Sequence, residues 1–255
     1  MESGLTGWAD PVQRQRSALE DNEFELYCQP ILQFSGTERY PMAEVLVRLR
    51  EEERALLPPG DFLPVFEHYR MMPELDRWVV RHTLLRLAQG SRIPRFTVNV
   101  SGQTLEDAEF LGFVAGELQS SRVPPQNLLF EIDESDMLGR PEAAGRFAAA
   151  AKSVGTRLLI DGFGRRAVSF APVAGLRPHF LKVDGRLTRK VVTSEAVRGK
   201  MSAMLQVGAK FGFGLIAECV EEQDVLLRLR GMGFGYAQGF GIYQPHPIAT
   251  LATTV

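Results

Sequence analysis

Cysteine is scarce in this chain: 255 residues contain only Cys28 and Cys219, far apart and in no CxxC pair. That excludes a disulfide-framed fold and a zinc ribbon. No charge of one sign predominates, since 29 Lys and Arg face 31 Asp and Glu for a formal net charge of −2. With no cationic excess to neutralise a run of phosphates, a nucleic-acid polymer is excluded as a partner. No apolar run approaches the ~20 residues of a membrane span. The opening MESGLTGWADPVQRQR also lacks the apolar core of a secretory signal, so the expected address is the cytoplasm, away from the membrane. Low-complexity stretches and linkers are missing too. What is present is a hydrophobic content of 45% and a charged content of 24%, as in ordinary globular proteins. The expected organisation is an N-terminal arm over 1–12, one domain over 13–250 and a tail over 251–255.

The recurring feature is a short apolar or β-branched run that stops at a polar residue. Such runs fall at 24–32, 43–49, 96–100, 128–132, 157–160, 180–183, 214–217 and 239–243, which predicts eight strands. Between most of them lie segments with apolar residues at i, i+3 and i+4, predicting helices over 62–70, 75–87, 104–121, 141–153, 194–211 and 222–232. Gly155 and Gly212 suit helix stops. The segment 51–54, three Glu and an Arg, reads as a solvated loop running into Leu56 and Leu57. Strands alternating with helices predict an α/β protein with a mostly parallel sheet, and eight of them favour a modified TIM (β/α)8-type barrel. The first two strands are joined by only about ten residues, short for a parallel crossover, so one antiparallel strand is expected. A Rossmann sheet is the structural runner-up, but Cys28-Gln29-Pro30 stands where its glycine fingerprint belongs.

In barrel enzymes chemistry collects at the C-terminal ends of the strands. Here those ends carry Gln29, Glu44 with Arg48, Asn99, Glu131 with Glu134, Asp161, Lys182 with Asp184, Glu218 with Glu221, and Gln238. Four carboxylates at one mouth repel one another unless protonated or bound to cations. Oxygen donors without thiolate or imidazole suit Mg²⁺, Mn²⁺ or Ca²⁺. Lys182 reads equally as an ion-pair partner of a neighbouring acid. His68, His82, His179 and His246 show no paired metal-ligand spacing and are assigned surface or core roles. Cys219 reads as a small buried residue with no chemistry.

These strand ends resemble the EAL domain family. Glu44-Val45-Leu46-Val47-Arg48 is similar to the Glu-x-Leu-x-Arg for which the family is named, and Tyr27-Cys28-Gln29-Pro30-Ile31 to its first strand. Val98-Asn99-Val100-Ser101, Phe130-Glu131-Ile132-Asp133-Glu134, Ile160-Asp161-Gly162-Phe163-Gly164 and Leu181-Lys182-Val183-Asp184 follow in order. Ala217-Glu218-Cys219-Val220-Glu221 and Gln238-Gly239-Phe240 complete the set. The resemblance implies a bacterial cyclic di-GMP phosphodiesterase, or a degenerate relative that binds the nucleotide, with Mg²⁺ or Mn²⁺ as cofactor and pGpG as product. Carried over by position, Glu44, Asn99, Glu131 and Asp161 hold a first cation, and Asp161 with Glu218 contribute to a second. Lys182 helps hold the attacking water or the phosphate, Gln238 supports the site, and Glu134 fixes the loop after its strand. Arg48 contacts a phosphate or guanine, Gln29, Leu46 and Asp184 belong to the ligand-binding surface, and Glu221 stands behind the metal ligands.

Three departures matter. The family's consecutive aspartates are Asp161-Gly162 here, so one expected carboxylate is missing and a looser turn is expected. Cys219 stands for a glycine and Leu49 for a tryptophan. Three readings follow: a cyclic di-GMP receptor with slow or absent hydrolysis, holding one ion or none; a working phosphodiesterase; and a protein-interaction module. Gly162→Asp is expected to raise any residual rate. A Schiff-base role for Lys182 runs against its anionic setting. Faces of the helices near 142–153 and 166–177 suit a homodimer or packing on the barrel, and a downstream protein partner is a further expectation.

Overall fold

The computed structural model describes residues 10–51, 55–165 and 170–250. Residues 52–54 of the predicted loop and residues 166–169 of the predicted helix face lie outside them. The strands are β1 (Phe24–Gln33), β2 (Met42–Glu51), β3 (Ala55–Leu57), β4 (Phe96–Val100), β5 (Leu128–Asp133), β6 (Arg157–Phe163), β7 (Phe180–Val183), β8 (Gly214–Ala217), β9 (Tyr236–Ala237) and β10 (His246–Pro247). Eight of them close a ring in the order β1-β9-β8-β7-β6-β5-β4-β2, with β1 pairing back onto β2. From β2 through β4 to β9 the neighbours run parallel. β1 runs antiparallel to both β2 and β9, because the eight-residue connection over 34–41 is too short to carry a helix across. This is the α/β barrel with one antiparallel strand that the strand-and-helix pattern predicts, and a Rossmann sheet is ruled out by closure.

The helices α1 (Pro11–Glu20), α2 (Pro59–His68), α3 (Met72–Ala88), α4 (Gly102–Leu105), α5 (Phe110–Ser121), α6 (Glu134–Gly139), α7 (Pro141–Val154), α8 (Ala171–Leu176), α9 (Gly185–Thr188), α10 (Glu195–Phe211) and α11 (Gln223–Met232) cover the barrel. Two apolar layers result. A large one lies between strands and helices and includes Phe96, Phe110, Phe130 and Phe147; the rings of the last three meet at 5.4–6.1 Å. A small one fills the barrel itself: Ile31, Met42, Leu129, Leu159 and Ile216, all fully buried or nearly so. Gly155 and Gly212 end α7 and α10 in the left-handed conformation, as the sequence predicts. No helix among the described residues is long and apolar enough to cross a membrane.

Three predicted elements are corrected. The last barrel strand is Tyr236–Ala237, and 239–243 is a turn. There the chain passes so close to the loop after β8 that a Cβ on Gly239 or Gly241 would strike the backbone of Val220 or Glu221, and Ile242 N–H closes the turn on Gly239 O at 3.0 Å. The helix predicted over 104–121 is two, α4 and α5, because Ser101 caps the first and Asp107 turns the chain before the second. Glu51, read as the start of a loop, is the last residue of β2, and Leu56 and Leu57 belong to β3, an unpredicted strand antiparallel to β2.

Asp76 on α3 ties that helix to the end of β4. Its Oδ2 accepts from Ser101 N–H at 3.0 Å and from Thr104 Oγ1 at 2.5 Å. Burial outweighs these bonds and the Arg77 charge, and pushes the carboxyl up to about 6. The folded state therefore binds this proton more tightly than the unfolded chain does. Stability is expected to fall as pH rises from about 4 to about 6, by on the order of 3 kcal/mol. Urea melts of Asp76→Asn across that window should show the slope flattened; an unchanged slope would contradict the assignment.

Candidate functional site at the barrel mouth

The apolar plug inside the barrel sets the position of every polar residue above it. Side chains alternate in and out along a strand, so the residue two steps beyond an inward apolar one also faces inward. Met42, Leu129, Leu159, Phe180, Ile216 and Tyr236 belong to the plug or pack on it. Two residues further toward the C-terminal end stand Glu44, Glu131, Asp161, Lys182, Glu218 and Gln238. β4 contributes Asn99 two beyond the fully buried Thr97. On the reversed β1, Gln29 lies two before Ile31 and pairs with Glu44. The eight strands thus deliver one polar side chain each to the same level.

Lys182 is the centre, with none of its side chain exposed. Its Nζ donates to Glu131 Oε2 at 2.6 Å and Glu44 Oε2 at 2.7 Å. Gln238 Nε2 donates to the same Glu44 oxygen at 2.8 Å and to Gln29 Oε1 at 3.1 Å, while Asn99 Nδ2 donates to Glu44 Oε1 at 3.0 Å. Burial disfavours the charged amine, but Glu131, Glu44, Asp161 and Glu218 outweigh it and hold the Lys182 pKa well above the ordinary value. Burial likewise opposes ionisation of Glu44, yet the ammonium and the amide hydrogen bonds prevail and hold it below the ordinary value. Glu131 is pushed up to about 8, by burial first, against the pull of Lys182. Glu218 rises well above its usual range through burial, the Asp161 charge and a hydrogen bond to Asp161. The cluster is centred on the ion pair of Lys182 with Glu44, and burial pushes the neighbouring Glu131 and Glu218 toward their protonated forms.

Three oxygens in it have no partner: Glu131 Oε1, Asp161 Oδ1 and Gln238 Oε1. Buried oxygens of this kind call for a cation, a proton donor or water. As the side chains stand, no group of three His, Cys, Asp or Glu among the described residues closes on a single ion, because the ammonium occupies the centre.

The end of β6 is irregular. Ile160 pairs with Leu181 and Phe163 with Val183, so Asp161 and Gly162 together oppose Lys182 in a β-bulge. Gly162 has φ +67, a conformation that glycine supplies at no steric cost. The extra residue shifts the alternation: Asp161 faces the mouth, while Phe163 faces the helices and packs on Phe170 at 5.0 Å. The turn expected to be loose is held. Gly164 N–H donates to the buried Glu134 Oε1 at 3.1 Å, Arg165 Nε to Asp184 Oδ2 at 3.0 Å and Arg165 Nη1 to Asp133 Oδ2 at 2.8 Å. Asp133 and Asp184 also cap α6 and α9.

The structure therefore gathers Gln29, Glu44, Asn99, Glu131, Asp161, Lys182, Glu218 and Gln238, and sets Glu134 behind the β6 turn. Arg48 and Leu46 continue the line of Glu44 along β2, with the Arg48 guanidinium 5.6 Å from the Tyr27 ring. Asp184 is engaged on both oxygens by Arg165 and Arg186, and Glu221 lies on the rim, 3.5 Å from Arg189. A cavity of about 190 Å³ opens beside the cluster, lined by Glu44, Glu218, Cys219, Gln238 and Phe240 among others. Cys219 takes φ +54 there, in the backbone region that favours glycine, and burial raises its thiol pKa. Both cysteines are free. Two residues were not foreseen: Phe240, 58% exposed in that lining, and Arg165. The sequence signal for Phe240 was its place two residues past Gln238; for Arg165 there was only its nearness to Gly162.

Fold and site together define a closed (β/α)8-type barrel protein whose C-terminal mouth carries a buried carboxylate and amide cluster around one lysine. The family model for the EAL domain matches residues 12–245, and the chain belongs to the EAL domain family. It is 28% identical over 240 residues to the cyclic di-GMP phosphodiesterase PdeB of Shewanella oneidensis, covering 93% of this chain and 28% of that protein. To the cyclic di-GMP phosphodiesterase PdeF of Escherichia coli it is also 28% identical over 240 residues, covering 93% of this chain and 32% of the relative. The chain thus spans about a third or less of these relatives' length. Among solved structures, the FimX EAL domain of Pseudomonas aeruginosa bound to c-di-GMP has a TM-score of 0.87 at 25% identity, covering 93% of this chain and 96% of that one. The Xanthomonas citri FimX EAL domain, at 23% identity and a TM-score of 0.86 with 93% of each chain covered, supports the fold.

Proposed function

We propose that this chain is a cyclic di-GMP receptor of the EAL type, binding the nucleotide across the C-terminal mouth and hydrolysing it slowly or not at all. The observation that carries this reading is the bulge at Asp161-Gly162. The chain keeps the polar residues around the mouth, Arg48 included, yet has no carboxylate at 162, and a guanidinium covers that position.

The donor set fits one hard divalent cation. Glu44, Asn99, Glu131 and Asp161 are oxygen donors of the type Mg²⁺ and Mn²⁺ prefer, and two of their oxygens are buried without a partner. A second cation is less well matched: Asp161 and Glu218 remain for it, and Gly162 offers no side-chain oxygen. A paired-cation site, where bound, supplies charge neutralisation and an activated water. The chain's own residues do the rest: Lys182 neutralises Glu44, Gln238 and Gln29 fix that carboxylate, and Glu134 holds the β6 turn. The second reading is a working phosphodiesterase, favoured by the other donor positions being filled and by the orphaned Asp161 oxygen.

Phe240 offers an exposed ring beside the cluster, suited to stacking on a guanine, and such stacking is worth about 1–3 kcal/mol per base. Calorimetric titration with cyclic di-GMP, with and without Mg²⁺, tests the proposal. Saturable binding at micromolar concentration or below is expected, weakened about tenfold or more in Phe240→Ala. No binding in either buffer would overturn it.

A further inference from the structure

The end of β6 carries a cation, Arg165, that belongs to none of the EAL motifs and to none of the inward-facing strand ends. Resting on the nucleotide-binding reading above, we propose that Arg165 is a phosphate-binding residue of this mouth, with its Nη2 edge taking a phosphate of the dinucleotide where a second divalent ion would otherwise be needed.

Its anchoring points to this role. Nε is spent on Asp184 at 3.0 Å and Nη1 on Asp133 at 2.8 Å, the caps at the ends of β7 and β5. The guanidinium therefore spans three strand ends of the mouth, and its plane is set before any ligand arrives. Among the described residues Nη2 has no hydrogen-bond partner. A fixed, planar, permanently charged donor is the group best matched to a phosphate, and a side chain already immobilised loses little entropy on binding.

Reach is the second argument. A Cβ on Gly162 would collide with Arg165 Nη2 and lie 2.8 Å from Cζ. Nη2 therefore rests over the backbone of Gly162, the residue next to Asp161. The guanidinium thus occupies the space that a side chain at 162 would take, and any residue larger than glycine there has to displace it.

Charge and symmetry make the third. Arg165 and Arg186 balance Asp133 and Asp184 on this rim. Arg48 stands on β2, three strands away around the ring of eight, on nearly the opposite wall. Two guanidinium groups on separate strand ends of one ring suit a guest with two phosphates.

The test is a titration of the whole chain with cyclic di-GMP in EDTA and again in Mn²⁺, for wild type, Arg165→Ala and Arg165→Lys, with ³¹P resonances of the bound nucleotide recorded in parallel. Arg146→Ala removes an equal charge from the exposed face of α7 and serves as control. Wild type should bind in EDTA, and Arg165→Ala should weaken that binding about ten- to a hundredfold, the range of one charge-assisted contact. Arg165→Lys should restore part of it, and Arg146→Ala should have no effect. One phosphorus resonance should shift in wild type and lose that shift in Arg165→Ala, a signal that a merely anchoring role would not produce. Equal affinity and equal phosphorus shifts in folded Arg165→Ala and Arg165→Lys would overturn the assignment and leave the receptor reading intact. Binding by wild type in Mn²⁺ but not in EDTA would overturn it too. No binding by wild type in either buffer would remove both.

Discussion

Lys182→Met is expected to destabilise the metal-free protein by about 3–5 kcal/mol at pH 7, the usual cost of removing one partner from a buried ion pair. In a chain of this size that corresponds to a fall in Tm of roughly 6–20 °C. The reason is the position of the ammonium, wholly buried between Glu131 and Glu44. Glu131 already holds a proton near neutral pH, so the loss falls on Glu44, left buried with only the amide donors of Asn99 and Gln238. Because the folded state holds the Glu44 pKa below its unfolded value, the stability it contributes is present above the unfolded pKa and lost as pH falls through the folded one. The penalty in Lys182→Met should therefore shrink below about pH 4, where the carboxyl is protonated in the unfolded chain. Thermal melts in EDTA at pH 4 and pH 7 check this. Equal losses at both would assign the effect to packing alone.

The second large effect concerns turnover. Gly162→Asp by itself is expected to raise Mn²⁺-dependent pGpG formation little, because the new carboxylate meets the Arg165 guanidinium and pairs with it. Aspartate is among the residues that tolerate positive φ best, so the bulge survives. Adding Arg165→Ala frees the carboxylate, and at nucleotide concentrations that saturate each variant the double variant should exceed wild type by about ten- to a hundredfold, the worth of one recovered charge-assisted contact. Chromatography of pGpG decides it. A wild type already as fast as the double variant would establish the phosphodiesterase reading instead.

Much of the barrel was legible because one rule governs it. Inward alternation puts a polar residue two positions past each apolar plug residue, and Glu44 past Met42, Glu131 past Leu129 or Lys182 past Phe180 can be read directly from the chain. The antiparallel β1 followed from a connection too short for a crossover. What the sequence concealed arises from tertiary packing. β9 is two residues long, held by its neighbours with no run of its own, so the longer apolar stretch at 239–243 drew the strand assignment. The break at Asp107 lies inside a continuous helical pattern. The glycine at 162 reads as slack, whereas in the fold it is the space an arginine from the next turn fills, pinned by acids at the ends of β5 and β7. Arg165 lies in no motif, and only the closure of the ring brings those acids to it.

The most direct test of the receptor reading is a crystal of the chain soaked with cyclic di-GMP and Mn²⁺, with the metal located by anomalous scattering. One intact dinucleotide across the mouth is expected, with a phosphate on Arg165 and at most one Mn²⁺ beside Glu131 and Asp161. Two Mn²⁺ ions with pGpG in the mouth, or an empty mouth at saturating nucleotide, would contradict it.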